Sequence, residues 1–330
     1  MVNYLSKIGK PEVFHGEKKK TNFFEGWFFK LVDKNEKNIL AVIPGIYISK
    51  DKSKEHAFIQ ILDGKSHTSH YLKFNKDEFR FIKNKFHVFI GDSFFSENKI
   101  ELDIQNEDIK LKGKLEFSDL NKWPVTLISP GIMGWYSYVP FMECNHGIIS
   151  LNHKIDGKLF YQNNEIDFTG GKGYGEKDWG SSFPSAYIWI QSNHFNNESV
   201  SLTASIAKIP WLFSSFRGYI IGLLIDGKLY KFTTYNGAIL HCLKIDDDSA
   251  LFEISDKKYY LKVSVKRTEG GVLHGPYQNE MTQRVSESLN AKVKVELTDK
   301  AAEKIIFKDE GRNSGLDING KLEEIIDENY

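Results

Sequence analysis

Cysteine is scarce in this chain of 330 residues, whose two thiols are Cys144 and Cys242. Two cysteines in a chain of this length exclude the disulfide framework that holds small secreted domains together. Charge of one sign is not in excess either, because 44 Lys and Arg residues balance 44 Asp and Glu residues. Nucleic-acid-binding domains normally carry a basic surplus, so the sequence predicts no nucleic-acid partner.

Long apolar runs are also lacking. The run Gly218–Ile225 is far shorter than the roughly 20 residues that a helix needs to cross a bilayer. The segment from Met1 to Lys20 contains no apolar stretch typical of a signal peptide. We therefore expect a cytoplasmic protein with reduced thiols.

Sets of metal ligands are few as well. Cys144 and His146 are close in sequence, as are His67 and His70, but no further Cys-rich or His-rich set accompanies either pair. A bound metal ion generally needs three or four ligands, so we predict no metal site.

The glycines of 170–184 fit neither the Walker nor the dinucleotide-binding spacing, which argues against a nucleotide cofactor.

What the sequence does contain is an alternation of apolar and polar side chains with a period of two. This period predicts half-buried antiparallel strands, and Asp-Gly or Asn-Gly pairs indicate hairpins between them. Helical periodicity is limited to one short turn, 298–304, with Asp299 as its cap. The alternating segments are 100–105, 109–117, 187–191, 201–206 and 259–265, and the hairpin signals start at Asp63, Asp156, Asp226 and Asn319.

A weak internal similarity suggests how the strands are grouped. Ile61–Gly64 recurs as Leu224–Gly227, which is consistent either with a duplicated β-barrel or with generic hairpins. The connector 123–153 is apolar and rich in aromatic residues, so we expect it to pack at a domain interface. We predict an all-β protein of two tandem antiparallel barrels with few short helices. The predicted domains are 1–140 and 141–330. The prediction is also compatible with the last strands packing back on the first domain.

Two segments carry residues suited to chemistry. In 170–184, glycines permit close backbone approach and sharp bends, and they place Glu176 and Asp178 beside Trp179. Carboxyl groups among aromatic rings are candidates for acid–base catalysis, because burial favours their protonated form; two solvated turn residues are the alternative. In 141–146, a strand would place Glu143 on one face and His146 on the other.

Aromatic residues make up 14% of the chain. Strand propensity explains this content as well as a pocket lined by π faces does.

The segment 209–216 combines large apolar residues with Pro and Ser, and either caps a barrel, touches a membrane or packs in a core. We predict peripheral membrane contact through Trp211, Leu212, Phe213 and Phe216.

Several long and unusual stretches, in order along most of the chain, resemble the tocopherol cyclase family. They are 24–30, 44–47, 134–147, 173–184, 189–194 and Glu287–Leu289. The resemblance implies two lipocalin-like barrels, distantly similar to carotenoid hydratases. It also implies a cofactor-independent activity on a prenylated, hydrophobic small molecule.

The resemblance also suggests roles for particular residues. In the hydratases the proposed acid is an Asp in a Gly-rich segment, and Glu176 occupies the matching place here, two residues after Tyr174. Glu176 is therefore our first choice for the general acid, with Asp178, Glu143 and His146 to orient it or to accept a proton and Tyr174 beside it. The expected substrate-binding residues are Glu25, Trp27, Trp135, Tyr136, Trp179, Trp189, Gln191 and His194.

These expectations define an isomerising cyclase. The acid protonates a prenyl alkene, aromatic faces stabilise the tertiary carbocation, and a phenol oxygen of the same molecule closes a ring ether. Two alternatives remain open from the sequence: a carrier of lipids or isoprenoids with no chemistry, and an alkene hydratase on the same scaffold.

Overall fold

The computed structural model describes residues 7–246, 249–277 and 279–326. Within these residues, twenty-two β-strands form the fold, and the helices are short 3₁₀ turns. The first twelve strands are β1 Phe23–Val32, β2 Ile39–Ile48, β3 His56–Asp63, β4 Ser69–Phe74, β5 Phe79–Phe81, β6 His87–Ile90, β7 Ser93–Ser96, β8 Lys99–Gln105, β9 Lys110–Ser118, β10 Cys144–Tyr161, β11 Asn164–Asp167 and β12 Gly171–Gly180.

The remaining strands are β13 Ala186–Ser192, β14 Ser201–Trp211, β15 Ser214–Ile225, β16 Lys228–Thr233, β17 Ile239–Ile245, β18 Ser249–Ser255, β19 Tyr259–Lys266, β20 Gly271–Tyr277, β21 Glu280–Asp299 and β22 Lys304–Gly320. The 3₁₀ helices are Gly16–Lys18, Lys52–Lys54, Lys76–Glu78, Gly134–Tyr138, Thr234–Asn236 and Leu322–Glu324. The prediction of an all-β, antiparallel fold with few short helices is confirmed. In the three described ranges, none of the helices has the length and apolarity needed to cross a membrane.

The chain divides into two compact units. The first comprises Met1–Phe183 and Val272–Arg284, and the second comprises Pro184–Gly271 and Val285–Tyr330. The predicted boundary after residue 140 is therefore displaced, because β10 and β12 lie between β9 and β1 in the sheet of the first unit. The segment that returns to the first unit is Val272–Arg284, whereas the last strand, β22, pairs with β13 of the second unit.

The first unit is built on a 12-stranded sheet in the order β4-β3-β2-β1-β12-β10-β9-β8-β7-β6-β5, with β11 paired to β10. Alternate residues of β1 enter its core: Trp27, Phe29 and Leu31 pack there with apolar side chains of the other strands. The period of two therefore assigns every second residue of β1, β12 and β10 to the face away from that core.

The second unit is built on a 10-stranded sheet in the order β16-β15-β14-β13-β22-β21-β19-β18-β17, with β20 paired to β21. Its core contains Ile188 and Ile190 of β13 and Leu316 and Ile318 of β22. The other side chains of β13 and β22 are on the opposite face of this sheet.

Turn signals are less reliable here than strand signals. Asp226-Gly227 does connect paired strands, since Ile225 lies opposite Lys228. Asp156 and Asn319, predicted to start hairpins, instead lie inside β10 and β22. Gly157 explains the first error: its φ is 122°, and a Cβ added there would be 2.3 Å from the carbonyl oxygen of Lys114, which marks a tight strand crossing rather than a turn.

The predicted helical turn near residue 300 is a strand connection. The Asp299 carboxylate accepts hydrogen bonds from the backbone N–H groups of Ala301 (3.0 Å) and Ala302 (3.1 Å). The expected cap is therefore present, but it closes the turn between β21 and β22 instead of starting a helix.

Candidate active site

Three neighbouring strands, β1, β12 and β10, position the candidate site in the first unit. In the register of these strands, Glu176 lies opposite Phe28 of β1 and Ile148 of β10, and Asp178 lies opposite His146 of β10. Because side chains alternate along a strand, Tyr174, Glu176 and Asp178 share one face of β12. We call this the carboxyl face; it points away from the core of the first unit. The glycine-rich segment thus forms a regular central strand, not the sharply bent loop that we expected.

The carboxyl–histidine cluster consists of His146, Tyr174, Glu176 and Asp178. His146 Nδ1 lies 2.8 Å from Asp178 Oδ1, and His146 Nε2 lies 3.6 Å from Glu176 Oε2. The Tyr174 hydroxyl donates a hydrogen bond to Glu176 Oε2. The structure therefore brings together four of the five predicted catalytic residues, on two adjacent strands.

Burial and charge set the protonation state of His146. Burial alone would lower the pKa of His146, but the carboxylates of Asp178 and Glu176 outweigh this effect and raise the pKa to about 9. The side chain of Glu176 is 6% exposed and that of Asp178 is 27% exposed, so the cluster is most secluded at Glu176. At neutral pH, His146 is accordingly an imidazolium held between two carboxyl groups.

The same cluster has a geometry that metal ions use. One donor atom from each of His146, Glu176 and Asp178 lies within 4.8 Å of the others. The sequence did not indicate this grouping, because the three residues come from different strands and include a single histidine. The hydrogen bond to Asp178 occupies Nδ1 of His146, so Nε2, which faces Glu176, is the nitrogen that would bind a metal after losing its proton.

The opposite face of β12 carries a buried ion pair, which we call the anchor. Lys177 forms a salt bridge with Glu25 of β1, and both side chains are fully buried. The Lys177 ammonium lies 4.9 Å from the ring centre of Trp27 and 4.5 Å from that of Trp179. Glu25, Trp27 and Trp179, predicted to bind substrate, therefore surround Lys177 on the core side, away from the carboxyl face.

The anchor also holds the segment that precedes β1. Lys177 Nζ donates to the carbonyl oxygen of Val13 at 2.5 Å, and Glu25 accepts hydrogen bonds from the backbone N–H groups of His15 and Gly16, each at 2.8 Å. Burial lowers the pKa of Lys177 to about 8, a shift that the nearby Glu25 carboxylate limits. Burial, together with the Lys177 charge, lowers the pKa of His15 to about 4.

Glu143 and the connector aromatics lie elsewhere in the first unit. Glu143 precedes β10, and its half-burial raises the pKa of its carboxyl group, an effect that Arg284 partly offsets. Trp135 and Tyr136 stack with their ring centres 4.1 Å apart, and Trp135 is 44% exposed. The connector does approach the cluster, since a narrow cleft that borders His146 is also lined by Ile132, Met133 and Ser137.

The other predicted substrate-binding residues belong to the second unit. Trp189 and Gln191 are buried side chains of β13. His194 follows this strand, and its carbonyl oxygen accepts a hydrogen bond from Arg312 N at 2.8 Å. These three residues therefore belong to the second unit, whereas the carboxyl–histidine cluster belongs to the first.

The apolar segment near residue 212 is the tip of the β14–β15 hairpin. Trp211 pairs with Ser214, which leaves Leu212 and Phe213 as the two turn residues. Leu212 is 72% exposed and Phe213 is fully exposed, whereas Trp211 packs edge-to-face on Phe216 with ring centres 6.0 Å apart.

Sequence reasoning missed Lys177 and His15. Lys177 follows Glu176 directly and resembles a solvated neighbour in the sequence, although its placement between Trp27 and Trp179 is a consequence of strand alternation. Once 171–180 is recognised as a strand, the period of two assigns Lys177 to the core face, where a buried charge requires a partner such as Glu25. His15 gave no sequence signal.

Fold and site together define an all-β, lipocalin-like protein with a buried carboxyl–histidine cluster on a central strand. A model of the tocopherol cyclase-like family matches residues 114–320, which is well over half of the chain. The chain therefore belongs to the tocopherol cyclase-like family.

Curated relatives are plant proteins that match a shorter region. A probable chloroplastic tocopherol cyclase of Oryza sativa subsp. japonica is 29% identical over 119 residues, which is 35% of this chain and 25% of that protein. The chloroplastic tocopherol cyclase of Zea mays is 30% identical over 110 residues, which is 32% of this chain and 23% of that protein. The match thus spans about a quarter of the length of these relatives.

Solved structures share the fold over nearly the whole chain. CghA, solved with Sch210972, superposes with a TM-score of 0.59 at 8% identity and covers 91% of this chain and 89% of its own. Kievitone hydratase from Nectria haematococca superposes with a TM-score of 0.52 at 9% identity and covers 96% of this chain and 95% of its own. At such identities the likeness shows the fold alone.

Proposed function

We propose that the chain is a cofactor-independent cyclase of the tocopherol cyclase type. It protonates the alkene of a prenylated quinol or similar lipid and closes an ether ring. The observation that carries the proposal is the carboxyl–histidine cluster, in which a secluded carboxyl group has a phenol on one side and an imidazolium on the other. Family membership supports the reaction type.

Seclusion supports Glu176 as the acid. Burial favours the neutral form of a carboxyl group, and Glu176 is less exposed than Asp178. A Glu176 protonated on Oε1 still accepts the Tyr174 hydrogen bond through Oε2.

The proposed reaction needs no net proton. Glu176 gives its proton to the alkene carbon, and the electron pair of the double bond forms the new C–H bond. The tertiary carbocation is captured by the phenol oxygen of the same molecule, and the phenol proton returns to the Glu176 carboxylate. His146 stabilises that carboxylate from 3.6 Å, and Asp178 holds the imidazolium through Nδ1.

The neighbours of Glu176 suit a cationic intermediate. Phe28 lies directly opposite Glu176 in the sheet, and it is buried, as is Tyr174. Aromatic faces stabilise a carbocation without offering a nucleophile, and a secluded site limits capture by water.

We propose a cytoplasmic protein whose hydrophobic substrate reaches it from a lipid surface.

The replacement Glu176→Gln tests the acid. It keeps the size of the side chain and its hydrogen bond with Tyr174, but it removes the transferable proton. We expect turnover of a prenylated quinol to fall by roughly 10²–10⁴-fold or more, with little change in substrate binding. The matched control is Glu116→Gln on β9, an exposed carboxylate that pairs with Lys114 and should leave turnover unchanged.

Turnover in heavy water separates the mechanisms. A cyclase places one deuterium on the former alkene carbon and yields a ring ether, whereas a hydratase yields an open-chain tertiary alcohol. Normal turnover of Glu176→Gln together with inactive Asp178→Asn would transfer the role of acid to Asp178. A lipid carrier would instead bind the quinol and return it unchanged in every variant, with no deuterium in any product.

A further inference from the structure

The first unit contains a polar cavity at the far edge of its sheet, away from the carboxyl–histidine cluster. The cavity has a volume of about 320 Å³ and lies between β4 and the strands β20 and β21. Its walls belong to the first unit alone, because the segment Val272–Arg284 returns to that unit. The lining side chains used below are Gln60, Ser69, Tyr71, Lys73, His274 and Gln283.

The position of the cavity in the sheet separates it from Glu176. Tyr71 and Lys73 flank the core residue Leu72 in β4, so they lie on the face that points away from the core. In the sheet order, β4 is four strands away from β12. At about 4.8 Å per strand, this corresponds to about 19 Å along the sheet. A small ligand in the cavity therefore does not reach Glu176.

Hydrogen bonds fix the wall that β20 provides. The Gln60 amide accepts a hydrogen bond from the backbone N–H of His274 (2.7 Å) and donates one to the carbonyl oxygen of the same residue (3.0 Å). The Ser69 hydroxyl donates to the carbonyl oxygen of Val272 at 2.7 Å. The rings of Tyr71 and His274 stack with their centres 4.0 Å apart. These contacts hold the cavity in shape without a ligand.

The imidazole groups around the cavity are neutral. His56 Nδ1 lies 2.7 Å from the carbonyl oxygen of Lys54, so this nitrogen carries the proton, and Nε2 accepts a hydrogen bond from the Tyr71 hydroxyl at 2.6 Å. Burial lowers the pKa of His56 and of His274, and the charge of Lys73 lowers both further. The positive field of Lys73 therefore extends over the cavity, and an anion beside it would be stabilised.

Lys73 itself is not neutralised by a carboxylate. In the part of the chain that the structure describes, it is the only Lys, Arg, Asp or Glu residue that lines the cavity, and it forms no salt bridge there. Two neighbouring lysines are paired, Lys54 with Glu280 at 3.2 Å and Lys76 with Glu55 at 2.9 Å. The cavity is thus electropositive, which favours an anionic ligand.

We propose that this cavity binds a phosphate group through Lys73, His274 and Gln283. The three side chains come from β4, β20 and β21, and such a spread of donors suits the tetrahedral oxygens of a phosphate better than a planar carboxylate. A phosphate monoester carries about 1.5–2 negative charges at pH 7 and three acceptor oxygens. An ammonium, an imidazole N–H and an amide NH₂ group are matching donors. The phosphate belongs to a soluble metabolite or to a lipid head group, and the site does not depend on the proposed cyclase activity.

Calorimetry with glycerol 3-phosphate tests the site in the full chain. We expect binding to the unmodified protein, and Lys73→Gln should weaken it at least tenfold. Lys76→Gln is the matched control, because it removes one positive charge just after β4 while Glu55 keeps its salt bridge with Lys52, and it should preserve the affinity. His274→Phe keeps a ring stacked on Tyr71 and the backbone bonds with Gln60, and it should also weaken binding.

Sedimentation with vesicles distinguishes the two sources of the phosphate. A lipid source predicts more sedimentation with phosphatidic acid than with phosphatidylcholine, and a loss of that difference in Lys73→Gln. A soluble source predicts binding of glycerol 3-phosphate without this difference.

Two results would overturn the site. One is the absence of binding with both probes. The other is an equal effect of Lys73→Gln and Lys76→Gln, which would mean that anions respond to the overall charge of the surface and not to this cavity. Loss of cyclase activity in Glu176→Gln with retained phosphate binding would leave the site intact.

Discussion

Three histidines of the first unit titrate in opposite directions because of their immediate neighbours. His146 sits between Asp178 and Glu176, which raise its pKa to about 9 despite burial. His15 is buried beside the Lys177 charge, and its pKa falls to about 4. His153 is buried in the core, where neither ring nitrogen has a hydrogen-bond partner among the described residues, and its pKa falls to about 3. Residue type therefore says little about charge until the contacts are known.

Acid should destabilise the protein through His15 and His153. Both have folded-state pKa values below their usual value, so between about pH 6.5 and their folded pKa values the unfolded chain binds more protons than the folded one. The free energy of unfolding then falls with decreasing pH by at most about 1.4 kcal/mol per pH unit for each group. Urea unfolding from pH 4.5 to 6.5 should show this slope, and His153→Leu should reduce it. An unchanged slope in that variant would mean that His153 is protonated without unfolding.

At the scale of single elements, β12 shows what the sequence could and could not provide. Alternation identified β8, β9, β13, β14 and β19, because half-buried strands carry a strong period of two. In β12, glycines at alternate positions remove the apolar half of the pattern, so the segment resembled a loop. Residue types and family resemblance were enough to select Glu176, Asp178 and His146 as candidates, but their grouping required the register of β10 and β12.

The glycines of β12 make a specific prediction. A Cβ at Gly173 would lie 2.1 Å from His153 Nε2, whereas a Cβ at Gly175 meets nothing closer than Ile149 at 3.4 Å. Gly173→Ala should therefore lower the free energy of unfolding by about 1–3 kcal/mol, the usual cost of overpacking. Gly175→Ala on the same face should change it far less, and His153→Ala should rescue part of the loss in the double variant. Equal unfolding midpoints for the two alanine variants would contradict this.

At the scale of the whole chain, composition and alternation were enough for the all-β class, but not for the division into units. The apolar connector suggested a boundary near residue 140, whereas the first unit continues to Phe183 because β10 and β12 complete its sheet. In sequence, a segment that links two units looks the same as a segment that links two strands of one sheet. Strand order depends on long-range pairing, which a single sequence does not display.

We propose that the exposed hairpin tip contacts a lipid surface. Leu212 and Phe213 are 72% and 104% exposed, so the tip can insert into a bilayer surface without disturbing the fold. The double variant Leu212→Ser/Phe213→Ser should sediment less with phospholipid vesicles and keep its unfolding temperature. Ile239→Ser, which replaces a 60% exposed apolar residue of the same unit, is the control and should sediment normally. Lower stability with normal sedimentation would show that the tip is packed rather than lipid-binding.

One face of β12 carries the carboxyl–histidine cluster and the other carries the anchor. This arrangement also limits how the length of this strand can vary in the family. One inserted or deleted residue between Gly175 and Lys177 would turn every following side chain to the other face of the strand. Asp178 would then enter the aromatic core, and the Lys177 ammonium would lose Glu25 and point toward His146. Substitutions along β12 can be accepted one at a time, but a change in length there would disrupt the carboxyl–histidine cluster and the anchor together. Natural variation in length should therefore fall in the turns on either side of this strand.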